Sequence, residues 1–140
     1  MSSTRKVAIV TGASQGIGEA LVTAYGKLGY AVAATSRSIR ASEDPQVLTV
    51  PGDLSRPGTG AQVVEQTLTR FGRVDTLVNN AGVFVAKPFV DYTDEDYDTV
   101  TGVNLRGFFD VSRSAVAAMI SQNGGGHVVN VSTSLVDHAN

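Results

Sequence analysis

The sequence contains no cysteine and only two histidines, His127 and His138. Without cysteine the chain can form no disulfide bond, no thiolate nucleophile and no thiolate metal site. No cluster of carboxylates accompanies the histidines at ligand spacing, so we predict no metal site. The sequence also lacks an apolar run long enough to span a bilayer, and its start, MSSTRK, is unlike a signal peptide. We therefore expect a soluble, cytoplasmic protein with no membrane contact.

Charged residues are also scarce, at 17% of the 140 residues, and the net charge is −2. Together with 42% hydrophobic residues, this composition argues against a disordered chain and favours one domain with a real core. The near-neutral charge gives no indication of a nucleic acid partner. The charge is uneven, because residues 1–40 set Arg5, Lys6, Lys27, Arg37 and Arg40 against Glu19 alone. That excess suits an anionic ligand, although ordinary surface scatter explains it equally well.

Apolar runs and helical periods alternate along the chain. Strands are predicted at 7–10, 30–35, 47–50, 74–78 and 127–131. Helices are predicted after the first strand, from the Pro57-Gly58 turn to Gly72, and from a Thr93 cap with Asp96 in the position of a capping-box acid. Residues 36–46 show no clear helical period, so a helix there is expected to be short or absent. Strands separated by helices predict a parallel sheet with right-handed crossovers.

Three glycines, Gly12, Gly16 and Gly18, lie between the first strand and the first helix. Glycine permits a positive φ and a close approach of the backbone to a ligand. The helix start supplies free N–H groups and the positive end of the dipole, which suit a phosphate. The spacing is G-x-x-x-G-x-G rather than the usual G-x-G-x-x-G of dinucleotide-binding turns. A glycine-rich turn without a ligand is therefore the alternative.

Polar residues recur wherever a predicted strand ends. After the glycine turn they are Ser36-Arg37, Asp53-Leu54, Asn80-Ala81-Gly82 and Ser132-Thr133-Ser134. In a doubly wound sheet, ligands bind beyond the carboxyl ends of the strands. Each cluster alone is an ordinary polar strand end, but the recurrence favours a binding site along that edge.

Three segments of the chain resemble the motifs of the short-chain dehydrogenase/reductase family, in the family's order. They are TGASQGIG at 11–18, NNAG at 79–82 and VNLRG at 103–107, and Asp53-Leu54 resembles the family's adenine-contacting pair. The resemblance implies an α/β fold, a Rossmann-type doubly wound parallel sheet with strand order 3-2-1-4-5, flanking helices and no later strands. It implies one dinucleotide-binding domain, 1–140, incomplete at its C-terminus. It also implies hydride transfer between a nicotinamide cofactor and a small-molecule carbonyl or alcohol, and a homo-oligomer for a full-length member.

The resemblance assigns roles to individual residues. The implied cofactor-binding residues are Gly12, Ser14, Gln15, Gly16, Ile17, Gly18, Ser36, Arg37, Asp53, Leu54, Asn80, Ala81 and Gly82. The phosphates would lie on the glycine turn, adenine near Asp53, and nicotinamide beside Asn80 to Gly82 and the turn at 132–134. The implied catalytic residues are Asn104 and Thr133.

The choice of cofactor depends on the end of the second strand. An acid about 20 residues beyond the glycines would bind the ribose hydroxyls of NAD, whereas an arginine suits the 2′-phosphate of NADP. At that place this chain has Ser36 and Arg37, and after them no acid until Glu43. The sequence therefore favours NADP(H) over NAD(H), with Arg37 binding the phosphate by a charge-assisted contact. Against this, Gln15 is neutral where many NADP-preferring relatives carry a base, and a solvated loop arginine is the alternative.

Asn104 falls on the apolar face of the long helix with Val100 and Phe108, so we expect its side chain to point inward, where an amide needs partners. It could tie the helix to a strand, or, as the resemblance implies, hold a water that passes protons toward a lysine. By register, the family's catalytic serine falls on Thr133, which keeps the hydroxyl and adds a methyl group. Ser134, through a shifted turn, and an ordinary polar strand end are the alternatives.

The family's catalytic tyrosine and the lysine four residues after it have no counterpart in the sequence. None of the four tyrosines has a lysine four residues after it; they are Tyr25, Tyr30, Tyr92 and Tyr97. The family carries this pair on a helix after the fifth strand, and the sequence ends at Asn140, so we expect an N-terminal portion or a truncated member with little or no turnover. Two other classes stay open: an inactive nucleotide-binding or regulatory protein, and a structural fragment that associates through the open edge of its fifth strand.

Overall fold

Residues 4–136 are described by a computed structural model, in which five parallel strands form one sheet with helices on both faces. The strands are β1 (Val7–Thr11), β2 (Ala31–Ser36), β3 (Val47–Pro51), β4 (Thr76–Asn79) and β5 (His127–Asn130). The α-helices are α1 (Gly16–Lys27), α2 (Thr59–Phe71), α3 (Asp94–Thr101) and α4 (Phe108–Ser121). The strand order is β3-β2-β1-β4-β5, which confirms the predicted order 3-2-1-4-5.

The strands lie where the sequence predicts them, with ends that differ by one or two residues. β4 begins at Thr76 rather than at Val74, because the N–H of Val74 donates to Oε1 of Gln122 at 3.1 Å and not to a neighbouring strand. The segment 37–46 between β2 and β3 contains no helix, as its missing period predicts. His138 and Asn140 lie outside the described residues.

The two faces of β1 separate the core into two clusters, since successive side chains of a strand point to opposite faces. Ile9 packs with Ala33 and Leu77 against α2 and α4. Val10 packs with Val32 and Val78 against α1. β1 is fully buried on both faces, which explains why its sequence is a continuous apolar run.

The predicted long helix is divided by a π-helical segment, Gly102–Gly107, between α3 and α4. Its start is as predicted: Thr93 Oγ1 accepts from the N–H of Asp96 at 3.1 Å, and Asp96 Oδ2 accepts from the N–H of Thr93 at 2.9 Å. The expectation that Asn104 points inward is wrong, because this side chain is exposed. A π turn holds more residues than an α turn, so the helical period that placed Asn104 with Val100 and Phe108 does not continue through it.

Asp75, just before β4, fixes the start of β1. Its Oδ2 accepts from the N–H of Val7 and from Nε of Arg73, both at 2.8 Å, and its Oδ1 accepts from Nη2 of Arg73 at 2.6 Å. Burial raises the pKa of this carboxyl, but the hydrogen bonds from Arg73 and Val7 and the charges of Arg73 and Lys6 outweigh it. The pKa of Asp75 therefore lies below its ordinary value.

We expect Asp75→Asn to lower the free energy of unfolding by about 1–2 kcal/mol at pH 7, because the amide cannot keep all the charge-assisted hydrogen bonds. A carboxyl whose folded pKa is depressed stabilises the fold above its unfolded pKa. That contribution is lost as the pH falls below about 4 through the folded pKa. Urea unfolding of the unchanged protein and of Asp75→Asn should show a difference in the free energy of unfolding that is smaller at pH 3 than at pH 7.

Glu65→Gln is the matched control, since it replaces an exposed carboxylate of α2 by an amide. The free energy of unfolding of Glu65→Gln should stay close to that of the unchanged protein at both pH values. An Asp75→Asn difference that is equally large at pH 3 would contradict the assigned electrostatic cause.

Candidate functional site

A groove of about 420 Å³ runs along the carboxyl ends of the strands. Every predicted cofactor-binding residue except Gly18 lines it, together with Ser38, Gly52, Val83 and Val103. The sequence motifs that resemble the family's cofactor motifs therefore meet in one place. The two predicted catalytic residues, Asn104 and Thr133, do not line this groove.

The glycine turn supplies one wall of the groove at the start of α1. Gly12 and Gly16 have φ values of +64° and +57°, a region that favours glycine. A Cβ at Gly12 would lie 2.8 Å from Cα of Ala81, so this turn needs a bare backbone where it meets the turn after β4. Gly18 does not line the groove, and a Cβ there would overlap the carbonyl oxygen of Gly12. No side chain caps α1 at Gln15, and its first N–H groups have no partner within the helix.

Thr11 and Asn80 join the glycine turn to the turn after β4. Thr11 Oγ1 accepts from the N–H groups of Asn80 and Ala81 at 3.0 and 2.9 Å. Nδ2 of Asn80 donates to the carbonyl oxygens of Thr11 and Gly12, both at 3.2 Å. Sequence reasoning took Thr11 only as the end of a strand. Its place as the first letter of TGASQGIG is the signal that could have marked it as a site residue.

The end of β2 carries two buried hydroxyls without partners among the described residues, Thr35 Oγ1 and Ser36 Oγ. Ser36 lines the groove beside the exposed Arg37. A buried polar atom without a hydrogen bond costs free energy. An unpartnered hydroxyl and a guanidinium at one end of a groove fit a ligand that presents an anionic group there.

Asp53 contributes a negative charge to the same end of the groove. Its Oδ1 accepts from the N–H and Oγ of Ser55 at 3.0 and 2.6 Å. These hydrogen bonds, aided by the charges of Arg56 and Arg37, hold the pKa of Asp53 below its ordinary value despite some burial. The carboxylate can therefore accept hydrogen bonds from a ligand at neutral pH, while the neighbouring Leu54 is buried.

Asn104 is bound entirely by the backbone of Val83, directly after Gly82. Its Oδ1 accepts from the N–H of Val83, and its Nδ2 donates to the carbonyl oxygen of Val83, both at 2.9 Å. The sequence left open whether Asn104 ties the helix to a strand or relays protons. The hydrogen bonds of Asn104 tie the helical segment to the loop after β4 rather than to a strand. The proton-relay role stays a prediction. Sequence reasoning did not anticipate Val83.

Thr133 lies in the exposed turn after β5, on the same edge of the sheet as the turn after β4. Its Oγ1 accepts from the N–H of Leu135 at 3.3 Å, which leaves the hydroxyl hydrogen available to donate. The two turns begin side by side, because the N–H of Val131 donates to the carbonyl oxygen of Asn79 at 2.9 Å. The catalytic role of Thr133 stays a prediction.

A wider cleft of about 1000 Å³ lies next to the groove, between α1 and residues 38–49, where no helix follows β2. Lys27 and Arg40 line it together with Glu19 and Asp44, so its charges are of both signs. Of the glycine turn only Ala13, Ser14 and Gln15 line it, and no residue of the turn after β4 does. We therefore assign the candidate site to the smaller groove.

Within residues 4–136 no helix is both long and apolar enough to cross a membrane. Over the same range, no three histidine, aspartate or glutamate side chains come together in a position to hold a metal ion.

Comparison with known proteins connects this groove to a family. The model of a protein family described as short chain dehydrogenase matches residues 6–138. The L-xylulose reductase of Mesocricetus auratus is 40% identical over 131 residues, which are 90% of this chain and 52% of that protein. The chain spans about half the length of the curated relatives that it matches.

Two solved structures with nicotinamide cofactors share the fold. The 3-ketoacyl-(acyl-carrier-protein) reductase of Brucella melitensis complexed with NADH gives a TM-score of 0.89 at 28% identity, over 96% of this chain and 60% of its own. A blue fluorescent protein from a metagenomic library, in complex with NADPH, gives a TM-score of 0.84 at 33% identity, over 96% of this chain and 58% of its own.

Proposed function

This chain belongs to the short-chain dehydrogenase/reductase family, and from that premise we propose that its groove binds NADP(H). For the whole protein we propose hydride transfer between this cofactor and the carbonyl or alcohol group of a small molecule. The observation that carries the proposal is the groove itself, since its lining includes all the predicted cofactor-binding residues but Gly18. Similar structures with bound NADH and NADPH support the class of cofactor and leave the choice between the two to the residues of this chain.

Each part of the groove suits one part of a dinucleotide. The N–H groups at the start of α1 and the bare backbone at Gly12 and Gly16 suit the pyrophosphate. The ionised Asp53 and the buried Leu54 suit the polar edge and the face of adenine. The turn from Asn80 to Gly82 would hold the nicotinamide ring, which supplies or accepts the hydride when it is bound.

The proposal of NADP(H) rather than NAD(H) depends on the end of β2. Ser36 has an unpartnered hydroxyl and Arg37 an exposed guanidinium, and both line the groove. Together they can bind a 2′-phosphate by hydrogen bonding and by charge. An acid at this end would instead bind the ribose hydroxyls of NAD, and none occurs between Glu19 and Glu43.

We propose that Thr133 donates its hydroxyl hydrogen to the substrate oxygen and that Asn104, by holding Val83, fixes the loop beside Gly82. The 140 residues contain no tyrosine with a lysine four residues on, the pair that the family resemblance gives as proton donor. A positioned general acid contributes about 10²–10⁴-fold to a rate. We therefore propose that the 140-residue chain binds the cofactor and turns over little or no substrate.

Titration of the purified chain with NADPH and NADH, followed by nicotinamide fluorescence, tests both parts of the proposal. We expect NADPH to bind more tightly, and Arg37→Ala to weaken NADPH by about 10–100-fold through loss of the charged contact. NADH affinity should change less than about twofold, because NADH has no 2′-phosphate. The same samples mixed with small carbonyl compounds should show little oxidation of NADPH.

Arg40→Ala is the matched control, since Arg40 is an exposed arginine of the same segment that does not line the groove. An equal loss of NADPH affinity in both variants would contradict the assignment of Arg37. Rapid turnover would contradict the proposed inactivity of the chain.

The second candidate is a fragment that associates through β5, because Val128 and Val129, on opposite faces of this edge strand, are 40% and 43% exposed. That function predicts concentration-dependent association without binding of either nucleotide. Sedimentation of the chain at several concentrations, alongside the titrations, distinguishes the two candidates.

A further inference from the structure

Asn79, the last residue of β4, has a side-chain amide that joins three elements of the fold. It is 9% exposed, and its Nδ2 donates to Oγ of Ser112 in α4 at 2.9 Å and to Oδ1 of Asn130 in β5 at 3.0 Å. Its Oδ1 is buried with no partner among the described residues. A buried acceptor without a hydrogen bond lowers stability, which offsets part of what the two hydrogen bonds of Nδ2 contribute.

The position of Asn79 relates it to the candidate site. It directly precedes Asn80, which begins the turn that lines the groove, and its partner Asn130 stands three residues before Thr133. The backbones are joined at the same level, where the N–H of Val131 donates to the carbonyl oxygen of Asn79. The amide thus lies where both turns leave the sheet.

We propose that Asn79 is a positioning residue that sets the spacing between the turn Asn80–Gly82 and the turn that carries Thr133. The inference rests on the proposed function, in which these turns flank the nicotinamide ring. The directed hydrogen bond from Nδ2 of Asn79 to Oδ1 of Asn130 joins the two strand ends and favours one orientation, whereas apolar contact would not. Through Ser112 the same amide fixes α4, which continues from the segment that holds Asn104.

β5 is an edge strand that its backbone ladder with β4 holds in the sheet. All four of its residues are exposed, and β4 is its only neighbour in the sheet of the described residues. Without the amide, the end of β5 can shift against β4 within the limits of the backbone ladder. A misplacement of about 1 Å at a reacting centre can cost about 10²-fold. The far end of the groove, at Arg37 and Asp53, lies on β2 and β3 and does not depend on this link.

Two ligands separate positioning from general stability in the full 140-residue chain. In the proposed binding mode NADPH would span the whole groove, whereas adenosine 2′,5′-bisphosphate would occupy only the end at Arg37 and Asp53. For Asn79→Leu we expect NADPH affinity to fall about tenfold and the fluorescence of the bound nicotinamide to change, because the ring is held less firmly. The affinity for adenosine 2′,5′-bisphosphate should change less than about twofold.

Two further variants keep the test decisive if Asn79→Leu folds poorly. Ser112→Ala removes the bond to α4 and leaves the bond between Asn79 and Asn130, so it should cause a smaller change of the same kind. Thr67→Ala removes a buried hydroxyl that donates to the carbonyl oxygen of Val63 in α2, away from the groove. It should lower stability and leave the affinity ratio of the two ligands unchanged.

Each outcome decides the question. Loss of NADPH affinity alone, with altered nicotinamide fluorescence, supports the positioning role. A parallel loss for both ligands, or no change for NADPH, would overturn this inference and leave the proposed function standing. Failure of the unchanged chain to bind either ligand would overturn the proposed function and this inference with it.

Discussion

Replacing Gly18 by alanine is expected to destabilise the protein by about 2–3 kcal/mol, although alanine normally stabilises a helix relative to glycine by about 1 kcal/mol. Gly18 lies in the first turn of α1 and is buried. A Cβ there would overlap the carbonyl oxygen of Gly12 and lie 2.7 Å from Nδ2 of Asn80. The methyl group must push the start of α1 away from β1, which disturbs the bonds from Asn80 to Thr11 and Gly12.

The same displacement moves the N–H groups that we propose to hold the cofactor phosphates. We therefore expect Gly18→Ala also to weaken the binding of NADPH by more than about tenfold, since contacts with a charged ligand depend strongly on distance. Urea unfolding and the fluorescence titration measure the two effects separately.

Gly26→Ala is the matched control in the same helix. Gly26 is exposed, and a Cβ there would meet nothing within 4 Å. Only the lower backbone entropy of alanine in the unfolded chain then matters, so the free energy of unfolding of this variant should rise by about 0.5 kcal/mol. The variant should bind NADPH normally. Equal behaviour of the two variants would show that α1 does not depend on its contact with Gly12.

The sheet could be predicted from the sequence because its strands are local features. The run from Val7 to Val10 is buried on both faces, and a strand of that kind is a continuous apolar run whatever surrounds it. The strand order came from a resemblance of motifs, and the structure confirms it. The groove followed from the same logic, since every parallel strand ends at one edge of the sheet.

Side-chain contacts between distant segments could not be predicted in this way. The bond from the N–H of Asn80 to Thr11 spans 69 residues, and no periodicity within one element reports on it. The exposure of Asn104 was missed for a different reason. A helical period assumes 3.6 residues per turn, and the π-helical segment Gly102–Gly107 breaks that assumption.

Asp110 makes a further long-range contact, with the start of α2, that the sequence did not indicate. It lies in α4, is 4% exposed, and its Oδ2 accepts from the N–H groups of Gly58 and Gly60 at 3.0 Å each. These N–H groups stand at the start of α2, where Gly58 is the N-cap and has no side chain to offer. One helix is thus capped by a carboxylate of another. Gly60 permits their close approach, because a Cβ there would collide with the backbone of Val111.

We expect Asp110→Ala to lower the free energy of unfolding by about 3 kcal/mol. It removes two charge-assisted hydrogen bonds and the attraction of a negative charge to the helix N-terminus, and it leaves two N–H groups without their acceptor. Asp110→Asn keeps an acceptor oxygen but not the charge, so it should lose about 1 kcal/mol. Urea unfolding of the two variants measures both values.

The order of the losses separates capping of α2 from the ion pair that Asp110 also makes. Arg113 Nη2 lies 3.2 Å from Oδ1 of Asp110, but the Arg113 side chain is 64% exposed. An exposed partner of this kind contributes less than about 1 kcal/mol, so Arg113→Ala should cost the least of the three. If Arg113→Ala cost as much as Asp110→Ala, the ion pair within α4, and not the cap of α2, would account for the loss of stability. If instead the losses follow the expected order, the start of α2 depends on a carboxylate that lies 50 residues further along the chain.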